Sequence, residues 1–348
     1  MKTLFQILAF IAVVGVFLAL FFAGSPSENT DPINRDAYFN RGVQDEIIDF
    51  STLKKETPKK VIPKNFKKYN FRYQYNINVT GRVDKATFKL PLQTDEAGKQ
   101  YITNFKIYPQ PNKIYSVDNN TIAEYRFSNL RTGNNVITIE GIAHLNRYDI
   151  NEAKRLNINF LKETDIKRYL LAEKGIEINN PYVKKIADKI TGDSKEELVN
   201  NIYEYVRKNI HYNHGASLPS AVTALKAGRG KCGEFAAAMV ALCRVKGIPA
   251  RVVSGNIARK IDTKHTWVEV YFDEYGWVTY DPTVMYGSRV HIKNGVIVKR
   301  EKMLIENQNY ISTIKNDFSS YYITYSNHDT GYNGDIKLIE NIQIKEAN

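Results

Sequence analysis

Residues 220–255 read SAVTALKAGRGKCGEFAAAMVALCRVKGIPARVVSG, and residues 265–283 read HTWVEVYFDEYGWVTYDPT. Between them they decide the fold. Glu234 to Lys246 is rich in Ala and other strong helix formers. Gly247 stops that helix and Pro249 reinforces the stop. Upstream, Pro219-Ser220 opens a short helix that runs through Leu225 and ends at Gly228. Further back, Ser194-Lys195-Glu196-Glu197 is a capping box, followed by Leu198, Val199, Ile202, Val206 and Ile210 at helical spacing. Downstream, Ala250 to Ile257 and Thr266 to Phe272 read as strands. Asp273 to Gly276 turns the chain, and Trp277 to Asp281 is a third strand closed by Pro282. The order is helices followed by strands, that of an α+β domain.

Cys232 stands at the start of the Ala-rich helix, flanked by Gly230 and Gly233. Unpaired backbone N–H groups and the helix dipole favour negative charge there. A thiol so placed loses its proton more easily, and the thiolate is the nucleophile. Cys243 is the internal control, because it lies 11 residues further along the same helix, roughly 16 Å away. A disulfide needs Cα atoms within about 7 Å, so the two cannot pair across a continuous helix. Cys243, among Ala241, Leu242 and Val245, reads as core.

A thiol nucleophile needs a base that takes a proton and returns it to the leaving group. Of the six histidines, His265 opens a strand, which places it rigidly, whereas His211 and His214 fall in a loop after a helix. The base in turn needs an orienting acceptor. Asp281 ends the next strand, but a turn centred near Glu274 and Tyr275 sets it opposite about Val268, three residues short of His265. An Asp before Pro is also a common turn initiator.

The two quoted stretches resemble the core of the transglutaminase-like superfamily over about residues 180–285, with Cys, His and Asp arriving in the family's order. Gly-Ile-Pro-Ala-Arg after the helix and Gly-Trp before the Asp strand are part of the likeness. The resemblance implies a papain-like fold in which Cys232 is the nucleophile, His265 the general base and acid, and Asp281 the orienter. It also implies that the nucleophile helix packs on an antiparallel sheet. Cys232, His265 and Asp281 could in principle hold zinc, but no close-spaced ligand pair supports a metal, and no cofactor is expected. One feature departs from the pattern. No Gln shortly precedes the Cys and no Trp lies upstream of it, so the usual oxyanion donors are missing. The backbone N–H of Cys232 can supply one donor. Tyr212 is the candidate for a second, against a plain core role. Trp267 and Trp277 are either packing residues or substrate platforms.

Tyr69, Phe71, Tyr73, Tyr75, Ile77 and Val79 alternate with polar residues, a half-buried strand that Gly81 ends. Further strands fit Ala86–Leu92, Phe105–Tyr108, Ala123–Phe127 and Val136–Ile142, separated by turn signals such as Thr132-Gly133-Asn134. Short strands with such turns suggest a β-sandwich before the catalytic domain. Leu4 to Ala23 is a run of 20 residues broken only by Gln6 and Gly15. As a helix it would span roughly 30 Å, so it reads as a single-pass membrane anchor, with a cleaved signal segment and secretion as the alternative. Seven lysines fall between Lys54 and Lys68, either a solvated linker or a site of attraction to an anionic membrane or cell-wall surface.

The organisation expected is an anchor or signal segment at 1–24 and a basic stalk at 25–66. A β-sandwich follows at 67–150, a catalytic domain at 151–290, and C-terminal strands or an appended lobe at 291–348. Net charge is +12 over 348 residues. With two cysteines, a disulfide-stapled scaffold is excluded. A negative mean hydropathy excludes a polytopic membrane protein. No nucleic-acid motif, phosphate loop or EF-hand is present. The function expected is cysteine-dependent amide-bond chemistry through an acyl-thioester. A peptidase or amidase acting on protein or peptide substrates outside the membrane comes first. A cross-linking transglutaminase and a non-catalytic tethered binding module are the alternatives.

Overall fold

The computed structural model describes residues 62–156, 165–213, 215, 219–258, 264–293, 296–304, 310–315, 322–326 and 334–347. The expected anchor and nearly all of the basic stalk lie outside them. Among the described residues no helix is long and apolar enough to cross a membrane.

The chain enters strand β1 (Lys67–Leu92), followed by β2 (Gln100–Tyr108), β3 (Lys113–Val117) and β4 (Asn120–Leu145). β1 and β4 are 26 residues each and pair antiparallel from end to end, with β2 and β3 on the far side of β4. Gly81 and Thr132-Gly133-Asn134 therefore do not end strands, as the sequence suggested. They flank a bulge between Val79 and Arg82, where Gly81 (φ +70°) and Gly133 (φ +149°) take backbone angles that other residues avoid. Odd positions stay buried past the bulge from Tyr69 through Val83, and the buried side then passes to even positions at Ala86, Phe88 and Leu90.

Next come α1 (Ile150–Leu156), a 3₁₀ turn (Ile166–Leu170), α2 (Pro181–Asp188), α3 (Lys195–Asn209), β5 (His211–Tyr212), α4 (Ala221–Ala227), β6 (Arg229–Gly230) and α5 (Cys232–Val245). Ser194 caps α3 by accepting from the Glu197 N–H at 3.1 Å, while the Glu197 carboxylate turns back to the Asp193 N–H. Every residue of α5 from Gly233 to Arg244 is buried. A helix apolar on all sides belongs in the middle of a core. α5 packs with Val183, Val199, Val206 and Ala224 of the other helices and with one face of a sheet formed by β7 (Ala250–Ile257), β8 (Lys264–Phe272) and β9 (Gly276–Tyr280). Alternation along β8 sends Val268, Val270 and Phe272 into that core.

Five further strands follow, β10 (Val284–Lys293), β11 (Val296–Leu304), β12 (Tyr310–Lys315), β13 (Tyr322–Ser326) and β14 (Asp335–Glu346). β12, β13 and β14 join sheets formed earlier in the chain. β12 joins β7 at the edge of the α5-bearing sheet, β13 and β14 pair with β1, and β10 pairs with β11. The N-terminal strands thus belong to one six-stranded antiparallel sheet that the end of the chain completes. This closure pairs residues more than 200 positions apart, which no local pattern encodes.

A buried polar network joins the two sheets. The Arg251 guanidinium meets Glu269 at 2.7 Å, and Lys315 meets Glu96 at 3.2 Å. Lys99 pairs with Glu269, and the Ser312 hydroxyl donates to Glu96. Backbone N–H groups of Ser312 and Lys315 donate to the side chains of Gln100 (3.0 Å) and Asn120 (2.8 Å). Gln93 donates to Thr313 at 3.2 Å. The N-terminal sheet therefore clamps β12 in place.

Candidate active site

Cys232 is the first residue of α5 and remains partly exposed. The turn that delivers it is held from two sides. β5 lies parallel to β6, pairing Tyr212 with Gly230, and Asn213 N–H donates to the Gly230 carbonyl at 2.9 Å. The Lys231 N–H donates to the Glu234 carboxylate at 3.1 Å, which closes the helix entry. Gly230 is required by space, because a Cβ there would fall 2.4 Å from the Glu234 Cβ.

His265 is the second residue of β8 and is buried. Its Nε2 meets Asp281 Oδ2 at 2.6 Å. The hairpin register pairs Val268 with Tyr280 and Phe272 with Gly276, so the turn is centred on Glu274. One step beyond the ladder, Asp281 falls level with Trp267 rather than Val268. That one-residue correction matters. Trp267 shares its face of β8 with His265, so the carboxylate is a diagonal neighbour, within side-chain reach. The other Asp281 oxygen accepts the Thr283 N–H at 3.0 Å. Turn initiation before Pro282 and the contact with the imidazole therefore use different oxygens of one carboxylate.

Cys232 hydrogen-bonds the His265 side chain and the Thr266 backbone. With Nε2 engaged by Asp281, Nδ1 is the ring nitrogen left for the sulfur. Burial by itself pushes the thiol up, but the hydrogen bond and charge of His265, with the Thr266 N–H, outweigh it and hold Cys232 below the usual thiol range. Burial likewise opposes the imidazolium, yet the Asp281 charge and hydrogen bond, with Cys232, push His265 up to about 10. Burial also opposes the Asp281 charge. The His265 and Thr283 contacts overcome it and keep the carboxylate below its usual range. All three shifts favour a thiolate beside an imidazolium beside a carboxylate.

Tyr212 lies two residues upstream of the thiol in the paired register, and its phenol is pushed up by burial, then by the charge of Cys232 and Glu234. Trp267 and Trp277 are buried, which removes them as open substrate platforms. Trp277 packs edge-on against Tyr169 at 4.7 Å and lies under the Arg251 guanidinium at 4.0 Å. Trp267 stacks on Tyr310 at 4.7 Å. Cys243 is fully buried and its thiol is pushed up to about 12 by that burial. Sequence reasoning missed Tyr310. Its hydroxyl donates to Asp281 Oδ2 at 2.9 Å, and its ring lies nearly parallel to that of His265, 6.0 Å away. No motif marks it, because it comes from a strand remote in the chain.

Residues 184–282 match the model of the transglutaminase-like superfamily. The chain carries a transglutaminase-like core. Over 250 residues it is 24% identical to the Bacillus subtilis protein YebA, covering 58% of this chain and 33% of that one. Over 65 residues it is 37% identical to a Pseudomonas aeruginosa protein-glutamine gamma-glutamyltransferase, covering 16% of this chain and 10% of that one. The chain thus spans a third or less of the length of these relatives. A crystal structure from Cytophaga hutchinsonii named "Putative Cysteine Protease" superposes with a TM-score of 0.58 at 16% identity, covering 82% of this chain and 92% of that one. That likeness shows the fold of the transglutaminase-like core and its flanking strands. The core match ends at residue 282, so Tyr310 lies beyond it.

Proposed function

We propose that this chain is a cysteine-dependent amide hydrolase, a peptidase or amidase acting on protein or peptide substrates outside the membrane. The observation that carries the reading is the continuous contact from Cys232 to His265 to Asp281, with the thiol held low and the imidazole high. In the proposed reaction the Cys232 thiolate attacks the amide carbonyl carbon. A C–S bond forms, the C–N bond breaks, and the imidazolium proton passes to the departing amine. Water then attacks the thioester and gives a proton to His265. The C–S bond breaks, releasing the acid and restoring the thiolate–imidazolium pair. The N–H of Cys232 at the helix start is one proposed donor for the developing oxyanion, and Tyr212 is the proposed second. Asp281 keeps the imidazole oriented.

Transfer to an amine is the second reading. It is favoured by the name of the Pseudomonas relative, a gamma-glutamyltransferase, whose 37% identity falls within a 65-residue match. Both readings share the thioester and differ only in what attacks it. The apolar run Leu4–Ala23 and the lysines between Lys54 and Lys68 support a tether to a membrane with an anionic surface.

The test is mass spectrometry of a glutamine-containing peptide library incubated with wild type and Cys232→Ala, with and without an added primary amine. Cleaved or deamidated products that need Cys232 and form without the amine support hydrolysis. Amine adducts alone would replace it with transfer. No Cys232-dependent product in either arm leaves the tethered binding module, which had been the third expectation.

A further inference from the structure

The geometry points to Tyr310 as a positioning residue that completes the hydrogen bonding of Asp281, supplied to the site by a strand outside the transglutaminase-like core. The inference rests on the reading of Cys232, His265 and Asp281 given above and adds a fourth side chain to it. Three contacts carry it. The Tyr310 hydroxyl donates to Asp281 Oδ2 at 2.9 Å, the same oxygen that meets His265 Nε2. The ring stacks on Trp267 at 4.7 Å. It also lies within 15° of parallel to the His265 ring. Asp281 is thus held by His265 from β8, by its own Thr283 N–H, and by Tyr310 from β12.

Among the described residues, other charged or titratable groups near this carboxylate are few. A cavity of about 190 Å³ beside it is lined by Asp281, Tyr310, Tyr203 and Tyr280, with Arg147 and Asp149 also on its wall. Arg147 and Asp149 pair with each other at 2.9 Å. Cys232 contacts His265 and is not part of the cavity wall. A cavity of this size admits water. The Tyr310 hydroxyl occupies a lone pair of Asp281 that solvent from the cavity would otherwise compete for. A donor to a carboxylate favours its charged form, and the Asp281 charge in turn keeps His265 protonated. The clamp on β12 by Gln93, Glu96, Gln100 and Asn120 gives this strand a fixed place. On this account the N-terminal sheet acts on the site through Tyr310.

The test uses Tyr310→Phe, which keeps the ring and removes only the donor, alone and combined with Asp281→Ala. The first readout is the pH profile of Cys232 alkylation by iodoacetamide, with Cys243 resolved by peptide mapping. The acid limb should move up by about half to one pH unit in Tyr310→Phe, in line with one hydrogen bond to a charged group. No further movement should appear in the Asp281→Ala background. The second readout is urea unfolding of the same four proteins, which needs no reactive thiol. There the two substitutions should be non-additive. An unmoved acid limb together with an additive unfolding cycle overturns the inference. If wild-type Cys232 reacts no faster than Cys243, the hydrolase reading falls, and the unfolding cycle alone decides whether Tyr310 serves Asp281.

Discussion

Glu96 offers a quantitative test of how the two sheets are joined. It is buried, and burial works against its charge, but Lys315 at 3.2 Å and then Lys99 outweigh that and lower it from an ordinary 4.5 to about 2. The folded value lies below the unfolded one, so the stabilisation is complete above about pH 4.5 and is lost as pH falls through about 2. At about 1.4 kcal/mol per pH unit, the difference amounts to about 3 kcal/mol. Glu96→Gln keeps the shape and removes the charge, leaving Lys99, Lys315 and Arg251 to share Glu269. Breaking a buried pair commonly costs about 3–5 kcal/mol. The low end is expected here, because burial already drives Lys99 toward its neutral form and it can shed a proton. Wild type should therefore exceed the variant by about 3 kcal/mol at pH 7, and the gap should shrink to less than half by about pH 3, because the unfolded chain's Glu96 takes a proton there while the folded one still resists it. Urea unfolding followed by tryptophan fluorescence is the assay, since both tryptophans of the chain are buried in the β7–β8–β9 sheet. A gap below about 1 kcal/mol at pH 7, or one that persists undiminished in acid, would refute the reasoning.

Other outcomes follow from the same geometry. His265→Ala should slow iodoacetamide labelling of Cys232 at pH 6 by about tenfold or more, because burial, the largest influence on that thiol, is then opposed only by the Thr266 N–H. Unchanged labelling would break the link between the two residues. Amide hydrolysis by wild type should hold its rate on the acid side of the ordinary thiol range and decline as pH rises toward about 10, where the imidazolium loses the proton it must donate. A profile that climbs only above pH 8 would contradict the ion pair. Gly230→Ala should cost about 1–3 kcal/mol in unfolding free energy and lower Cys232 labelling, since the new Cβ would sit 2.4 Å from the Glu234 Cβ. Cys243→Ser should lose about 1–3 kcal/mol by burying a hydroxyl among apolar neighbours while leaving Cys232 labelling as in wild type.

The helix bearing Cys232 was legible because its signals are local. Ala-rich composition and Gly247 at a left-handed angle act within a few residues, and Ser220 and Gly228 mark the two ends of the preceding helix α4 in the same way. The period-two alternation of Tyr69 to Val79 was equally plain, but its length was not. Glycine and Thr-Gly-Asn read locally as ends, and only pairing along the whole of β4 shows them absorbed in a bulge. The Asp281 register missed by one residue for a related reason. A hairpin's centre depends on which residues of Asp273-Glu274-Tyr275 stay out of the ladder, and one step decides which face a side chain takes.

Sequence alone determined the short-range parts of this protein: where α5 begins, that a thiol stands there, that a strand opens with His265, and that Asp281 precedes a proline. Each is written in a window of a few residues, over which backbone preference and hydrophobic period act. Tertiary structure decided what lies far apart in the chain. Tyr310 meets Asp281 across 29 positions, Lys315 accepts the Asn120 amide across 195, and β14 closes on β1. Such contacts depend on how sheets stack and which edges remain open. Neither composition nor periodicity near residue 310 carries that information, because the energy that places Tyr310 comes from partners folded elsewhere.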